Sequence, residues 1–319
     1  MSNITISPIT VAKAVVPEET GRRSAADYFC DSLDERELRL QDGDILVVSS
    51  KVVSLFEGGL IRLDDIRPSR KARFLGRIFR RDPRKLQIVM ESGKVIVVLP
   101  LKAILSIPSV RKMMIDRSPN PKAMLQGYGS TNRFTVIVRA HGAYLDEAGI
   151  DHTNSPEEFI TVLPADPCAE AHKIRARVAE RFGADVAVII TDTVTSIGRL
   201  GSQDMAIGYA GIDPITRDTF SEDLFGVPRS GGIDIVIDSI AGMAGLIMGQ
   251  TTELTPAALV RGLDYEPERP EDEGLGMTIL SYPASSTWRM VLCTLAATAA
   301  FKLANLFSLQ RWPKRTRVV

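Results

Sequence analysis

The run Val186-Ala-Val-Ile-Ile190 is the feature that most constrains this chain. Five consecutive apolar residues, four of them β-branched, read as a strand buried on both faces. The run stops at Thr191-Asp192-Thr193, where two hydroxyls and a carboxylate follow with no turn between. In open α/β sheets, polar groups at the carboxyl end of a buried strand are where ligands dock.

A second strand, Phe134-Thr-Val-Ile-Val138, leads to Ala148-Gly-Ile-Asp151-His-Thr-Asn154, so two strand-like segments each deliver an aspartate. A third, Ile45-Leu-Val-Val48, runs into Ser49-Ser50-Lys51, a hydroxyl and ammonium set suited to phosphate. No GxxxxGK[ST] is present, which excludes a P-loop. A small-residue helix, Ser239 to Met248, started by Asp238 after a strand Ile233–Ile237, ends at Gly249-Gln250-Thr251-Thr252. Asp151, Asp192, Thr193 and Gln250 are all oxygen donors. Such a set suits Mg²⁺ or Mn²⁺ and argues against structural zinc.

The remaining elements follow from punctuation. Asp166 caps and Pro167 opens a helix that Gly183 ends, which places strand, loop, helix and strand in α/β order. Pro17–Leu40 reads as a loop and an amphipathic helix, Val95–Leu99 and Ala257–Leu263 as strands, and Ser118–Thr131 as a loop. Gly198–Ile212 is glycine-rich but opens no βαβ crossover, so it is no dinucleotide site. Arg67–Lys85 is strongly basic, and Ser69 caps a helix there with Phe74, Leu75, Ile78 and Phe79 on its apolar side. The expectation is a packed helix with a solvated basic face; attraction of an anionic substrate or of RNA is the alternative. The expected organisation is a catalytic domain over 1–265, an acidic proline-rich linker over 266–284, and an apolar helix with a basic, Trp312-bearing tail over 285–319.

Lys+Arg and Asp+Glu balance at 39 each in 319 residues, which argues against a dedicated nucleic-acid binder. Three distant cysteines offer no disulfide framework or metal knuckle. The apolar run Met290–Phe301 is shorter than the ~20 residues a bilayer span needs. A cytoplasmic protein without a membrane span is expected.

The order of several motifs resembles the coenzyme F-420:L-glutamate ligase family. These are Gly43-Asp-Ile-Leu-Val-Val48 with Ser54 and Glu57-Gly58, Ala148-Gly-Ile-Asp151 with Asn154, and Leu163-Pro with Asp166-Pro167. Ile189-Ile-Thr-Asp-Thr193, Ala206-Ile-Gly208, Asp223-Leu-Phe-Gly226, Met248-Gly249-Gln250 and Val260-Arg-Gly-Leu263 continue the set. The resemblance implies a mixed α/β, two-lobed fold with a buried sheet, an intertwined homodimer, and a reaction that adds L-glutamate to a carboxylate of a deazaflavin precursor. It implies that Asp151 and Asp192 hold one divalent cation, and that Thr193 and Gln250 help hold a second. Ser50, Lys51, Asn154, Met248 and Gly249 would then meet GTP. Its γ-phosphate would pass to the acceptor carboxylate, and glutamate's amine would attack the acyl phosphate.

Four positions depart from the family pattern. Leu55 stands where a lysine precedes Glu-Gly, with Lys51 a few residues earlier. Thr195-Ser-Ile-Gly-Arg199 keeps only the second of two arginines, Arg199. Glu147 replaces an asparagine and Cys168 an aspartate. A phosphate-binding protein or phosphohydrolase, or a non-catalytic relative, is the competing reading.

Overall fold

In the computed structural model, residues 3–16, 19–130, 133–155, 158–195, 201–230, 232–272, 274–280 and 284–307 are described. The chain begins β1 (Thr5–Ile9), α1 (Ala25–Glu35), β2 (Ile45–Ser49), α2 (Ser50–Phe56) and β3 (Leu60–Arg62). It continues α3 (Arg70–Phe79), α4 (Pro83–Glu91), β4 (Lys94–Leu99), α5 (Leu101–Leu105), α6 (Pro108–Asp116) and α7 (Pro121–Ser130). Then come β5 (Thr135–Ala140), β6 (Ala143–Asp146), β7 (Phe159–Thr161), α8 (Pro167–Phe182), β8 (Ala187–Thr195) and β9 (Ser202–Ala210). The last elements are α9 (Val236–Met248), β10 (Ala257–Arg261) and α10 (Ala284–Phe307). This is the expected mixed α/β class. Contacts divide the chain into two compact units, Met1–Ile279 and Leu280–Val319.

Among the described residues, the strands of the first unit form a sheet of order β1-β10-β2-β8-β9, with β4-β5-β6 and β3-β7 as smaller sheets. β8 runs parallel to β2 and antiparallel to β9. The run that β8 inherits from Val186 is buried throughout, as are Ile45–Val48 beside it. On one face, α1 and α8 cover these strands through Phe29, Leu33, Ile174 and Val178. Asp166 caps α8 through its side chain, Pro167 opens it, and Gly183 ends it at φ 67°, as the punctuation implies. Gly208 lets β9 reach that helix, since a Cβ there would lie 2.6 Å from the Pro167 backbone.

Four local expectations are corrected. β8 does not stop at Thr191: it shifts register between Ile190 and Thr191 and runs on to Thr195, so the polar trio lies inside a strand whose partner is β9. That partner, β9, lies within the glycine-rich stretch, and its Gly208 packs against Pro167. Ile233–Ile237 is not a strand, because Ile235 caps α9, which starts at Val236. Residues 121–130 are helical where a loop is expected, with Asn120 Oδ1 accepting from the Ala123 amide. Finally, α3 buries Ala72 and Gly76 while Phe74 and Ile78 remain 62% and 53% exposed.

Residues 266–279 pack on the first unit. Glu268 accepts from the Gly211 amide at 2.9 Å, Asp272 is buried against Arg217, and Tyr209 and Cys168 lie beneath Gly276. In the second unit, α10 forms where an apolar helix is expected; the basic tail with Trp312 lies outside the described residues. Among the described residues, no helix is long and apolar enough to cross a membrane.

Candidate active site

Parallel pairing sets the first half of the site. Ser49 lies opposite Thr191, and α2 begins at once, so its first turn stands over Asp192. Ser50 Oγ donates to Asp192 Oδ1 at 2.9 Å. Lys51 Nζ donates to Asp151 Oδ2 at 3.0 Å, to the Thr153 carbonyl at 2.7 Å and to Ser155 Oγ at 2.8 Å. An ammonium has three donors, and all three are used in holding the Asp151–Ser155 loop. Asp151 also accepts from the Thr153 amide and hydroxyl at 2.8 and 2.7 Å, while its backbone bridges Thr161. Gly149, at φ 70°, makes room: a Cβ would meet Leu163 at 2.6 Å and approach Asp192 Oδ2 at 3.3 Å.

The second half comes from β8, β9 and the end of α9. Thr193 faces Asp204 across the β8–β9 ladder. Thr193 Oγ1 lies 3.0 Å from Asp204 Oδ1 and 2.8 Å from Gln250 Oε1. Gln250 Nε2 donates to both Asp204 oxygens, at 3.0 and 3.2 Å. Asp204 has no signal in the sequence, because only strand register brings it to Thr193. Its carboxylate occupies space that Gly245 leaves open, since a Cβ there would sit 1.7 Å from Asp204 Oδ2. Gly249 ends α9 at φ 71°, and Asn154 Nδ2 donates to the Thr251 carbonyl at 3.2 Å, which ties the two halves together.

One cavity of about 690 Å³ is lined by Ser50, Lys51, Asp151, Asn154, Asp192, Thr193, Met248, Gly249 and Gln250, the expected residues, together with Asp204. Arg199 and Ser196 lie outside the described residues. Burial, reinforced by the charges of Asp151 and Asp204 and opposed by Ser50, pushes the Asp192 carboxyl up to about 6. Burial lowers Lys51 against the pull of Asp151. For Asp151, burial is outweighed by the Thr153 hydrogen bonds and the Lys51 charge, so its carboxyl falls below the ordinary value.

Among the described residues, no three His, Cys, Asp or Glu side chains converge as a metal-ligand set. The donors are two carboxylates near Ser50 and one carboxylate with a hydroxyl and an amide near Gln250. That sparse oxygen set fits Mg²⁺ or Mn²⁺, which take one or two carboxylates and complete their shell with phosphate and water.

Three departures from the family pattern acquire physical reasons. Leu55 and Lys51 are one turn apart on α2 and line the same cavity, so a lysine is still presented there. Glu147 makes a bidentate pair with Arg81 and accepts from Thr135 Oγ1 and the Val136 amide. Cys168 sits under Gly276, where a Cβ would lie 3.2 Å from its sulfur; burial raises its thiol, and a carboxylate there would be costly.

The sequence model of the F420-0:gamma-glutamyl ligase family matches residues 20–262. The coenzyme F420:L-glutamate ligase of Methanopyrus kandleri is 30% identical over 289 residues, 91% of this chain and 99% of its own. That of Methanothermobacter thermautotrophicus is 32% identical over 240 residues, 75% of this chain and 83% of its own. That of Haloarcula marismortui is 30% identical over 258 residues, 78% and 85% respectively. With a family match over most of its length and relatives covered over more than four-fifths of their own, the chain belongs to the F420-0:gamma-glutamyl ligase family.

Proposed function

We propose that this enzyme is a GTP-dependent, metal-assisted ligase that joins the amine of L-glutamate to a carboxylate of a deazaflavin acceptor of the F420-0 kind. The observation that carries the reading is the convergence of Asp151, Asp192, Thr193, Asp204 and Gln250 on one cavity with Ser50 and Lys51. Asp151 and Asp192 would hold one Mg²⁺ or Mn²⁺, and Thr193, Gln250 and Asp204 a second. Bound there, the cations would screen the triphosphate as a carboxylate approaches it.

The chain's own groups do the positioning. Ser50 orients the Asp192 carboxylate, and Lys51 fixes the Asp151 loop. Asn154 and the Met248–Gly249 turn form the nucleotide side of the cavity, and Arg199 is kept as a catalytic candidate by family resemblance alone. In the reaction, the acceptor carboxylate takes the γ-phosphate and GDP leaves. The glutamate amine then attacks the acyl carbon, expels phosphate and loses a proton. The reading includes a homodimer working in the cytoplasm.

The test is GDP release from GTP with Mn²⁺, glutamate and the F420-0 acceptor. Release is expected only when acceptor and glutamate are both present, with a glutamylated product in the mass spectrum. GDP release from GTP alone would make the protein a hydrolase and overturn the ligase reading.

A further inference from the structure

The outward face of α3 is built the wrong way round for a helix in water. Its inward face carries the small residues Ala72 and Gly76 with Leu75 and Phe79 half-buried beside them; a Cβ on Gly76 would lie 2.9 Å from the Arg81 carbonyl. This close approach rotates Phe74 and Ile78 outward, one turn apart, at 62% and 53% exposure. Arg70, Arg73 and Arg77 run along one side of that stripe and Lys71 along the other, all exposed. No ion pair involves Arg70, Lys71, Arg73, Arg77 or Arg80 among the described residues, whereas Arg81 and Arg84 are paired. Over 67–85 the chain has nine Lys and Arg against one acid, although its overall charge is balanced.

A ligand for this face must be anionic and must also bury two hydrocarbon side chains. A phosphate-bearing lipid surface meets both demands, since a basic amphipathic helix lies in the interface with its apolar residues in the acyl boundary. Nucleic acid would use the arginines but gives Ile78 no stacking role. A second copy placed with its two-fold axis through α3 would set one cationic helix against another.

The second unit also presents apolar side chains to solvent. Every described side chain of α10 is exposed, including Leu292, Leu295 and Leu303 at 63%, 63% and 55%, with Arg289 and Lys302 among them. We propose that α3 docks this protein on an anionic phospholipid bilayer. Phe74 and Ile78 enter the headgroup–acyl boundary, and the arginines pair with headgroup phosphates. The docking surface is separate from the ligase cavity and does not depend on that reading.

The test is co-sedimentation of the full chain with phosphatidylcholine vesicles with and without phosphatidylglycerol. Binding is expected only with phosphatidylglycerol, weakening as salt rises. Arg73→Ala/Arg77→Ala should lower the partition coefficient roughly 25-fold, from about fivefold per basic residue. Phe74→Ser/Ile78→Ser should lower it by roughly tenfold or more, and neither pair should change the melting temperature. Four results would overturn the proposal. Wild-type protein could ignore phosphatidylglycerol vesicles, or both α3 variants could bind like wild type. The chain could prefer single-stranded RNA to the vesicles. Phe74→Ser/Ile78→Ser could turn a dimer into monomers in light scattering, which would mark a self-interface.

Discussion

Asp204 and Gly245 are linked by volume, and that link makes the second half of the site testable. Gly245 lies inside α9, where alanine would favour the helix by ~1 kcal/mol. Yet its Cβ would sit 1.7 Å from Asp204 Oδ2, so Gly245→Ala must turn that carboxylate away from Thr193 and Gln250. The expected outcome is a folded protein whose Mn²⁺ stoichiometry, read by electron paramagnetic resonance, is one where the proposed site predicts two for wild type. Asp204→Asn should match it; unchanged stoichiometry in both would remove Asp204 from the site. Lys51→Met tests the other half by leaving the Asp151 loop without its three-point anchor. Losing charged hydrogen bonds worth about 1.5–3 kcal/mol predicts roughly 10- to 100-fold weaker GTP binding in calorimetry. Asp151, Asp192, Thr193 and Gln250 were legible in the sequence because each follows an apolar run or helix. Asp204 was not, because cross-strand register leaves no local mark.

At the scale of elements, the basic segment shows how packing overrides an amphipathic pattern. Four apolar residues at helical spacing foretell a buried stripe on α3, yet only Leu75 and Phe79 turn inward beside Ala72 and Gly76, while Phe74 and Ile78 stay exposed. The segment is fastened instead by Arg81, whose side chain is only 4% exposed and whose guanidinium grips Glu147 and the Phe134 carbonyl. Arg81→Ala would leave Glu147 partly buried without its cation. It should cost about 3 kcal/mol in urea unfolding, and Glu147→Gln should cost less because it keeps a hydrogen-bond acceptor. The start of α9 departs from its sequence pattern for a similar reason. Ile233–Ile237 alternates like a strand, but Asp238 accepts from the Ala206 amide at 3.0 Å and draws the segment into a helix against β9. Burial raises the Asp238 carboxyl above its unfolded value. A raised carboxyl contributes stability at low pH and loses it as pH rises through the folded value. Asp238→Asn keeps the acceptor and cannot ionise. Its stability relative to wild type should therefore improve as pH climbs from the ordinary carboxylate range past Asp238's raised value, in thermal melts across pH.

Over the whole molecule, the question is which part of the chain the catalytic fold requires. The family match ends at residue 262, while the first compact unit extends to Ile279. The intervening segment is acidic and proline-rich, a composition that suggests a linker, but its side chains are engaged. Asp213, only 2% exposed at its side chain, is shared by Arg217 and Arg269, and Asp272 pairs with Arg217 in turn. Glu268 closes the Gly211 turn, and Gly276 covers Cys168 and Tyr209. Ending the chain after Asp264 would strip Arg269 from the buried Asp213 and Asp272 from Arg217, and would expose Tyr209, which is 1% exposed in the intact chain. Each buried charge left with fewer partners costs several kcal/mol, so this truncation should melt far below the full chain or fail to fold. Ending it after Ile279 removes only the second unit. That shorter chain should melt close to the full-length protein and retain the same GTP affinity, because the described cavity residues lie within the first unit. Thermal melts and calorimetry on the two truncations decide the matter, and equal stability in both would show that the 266–279 segment is a tether and no part of the fold.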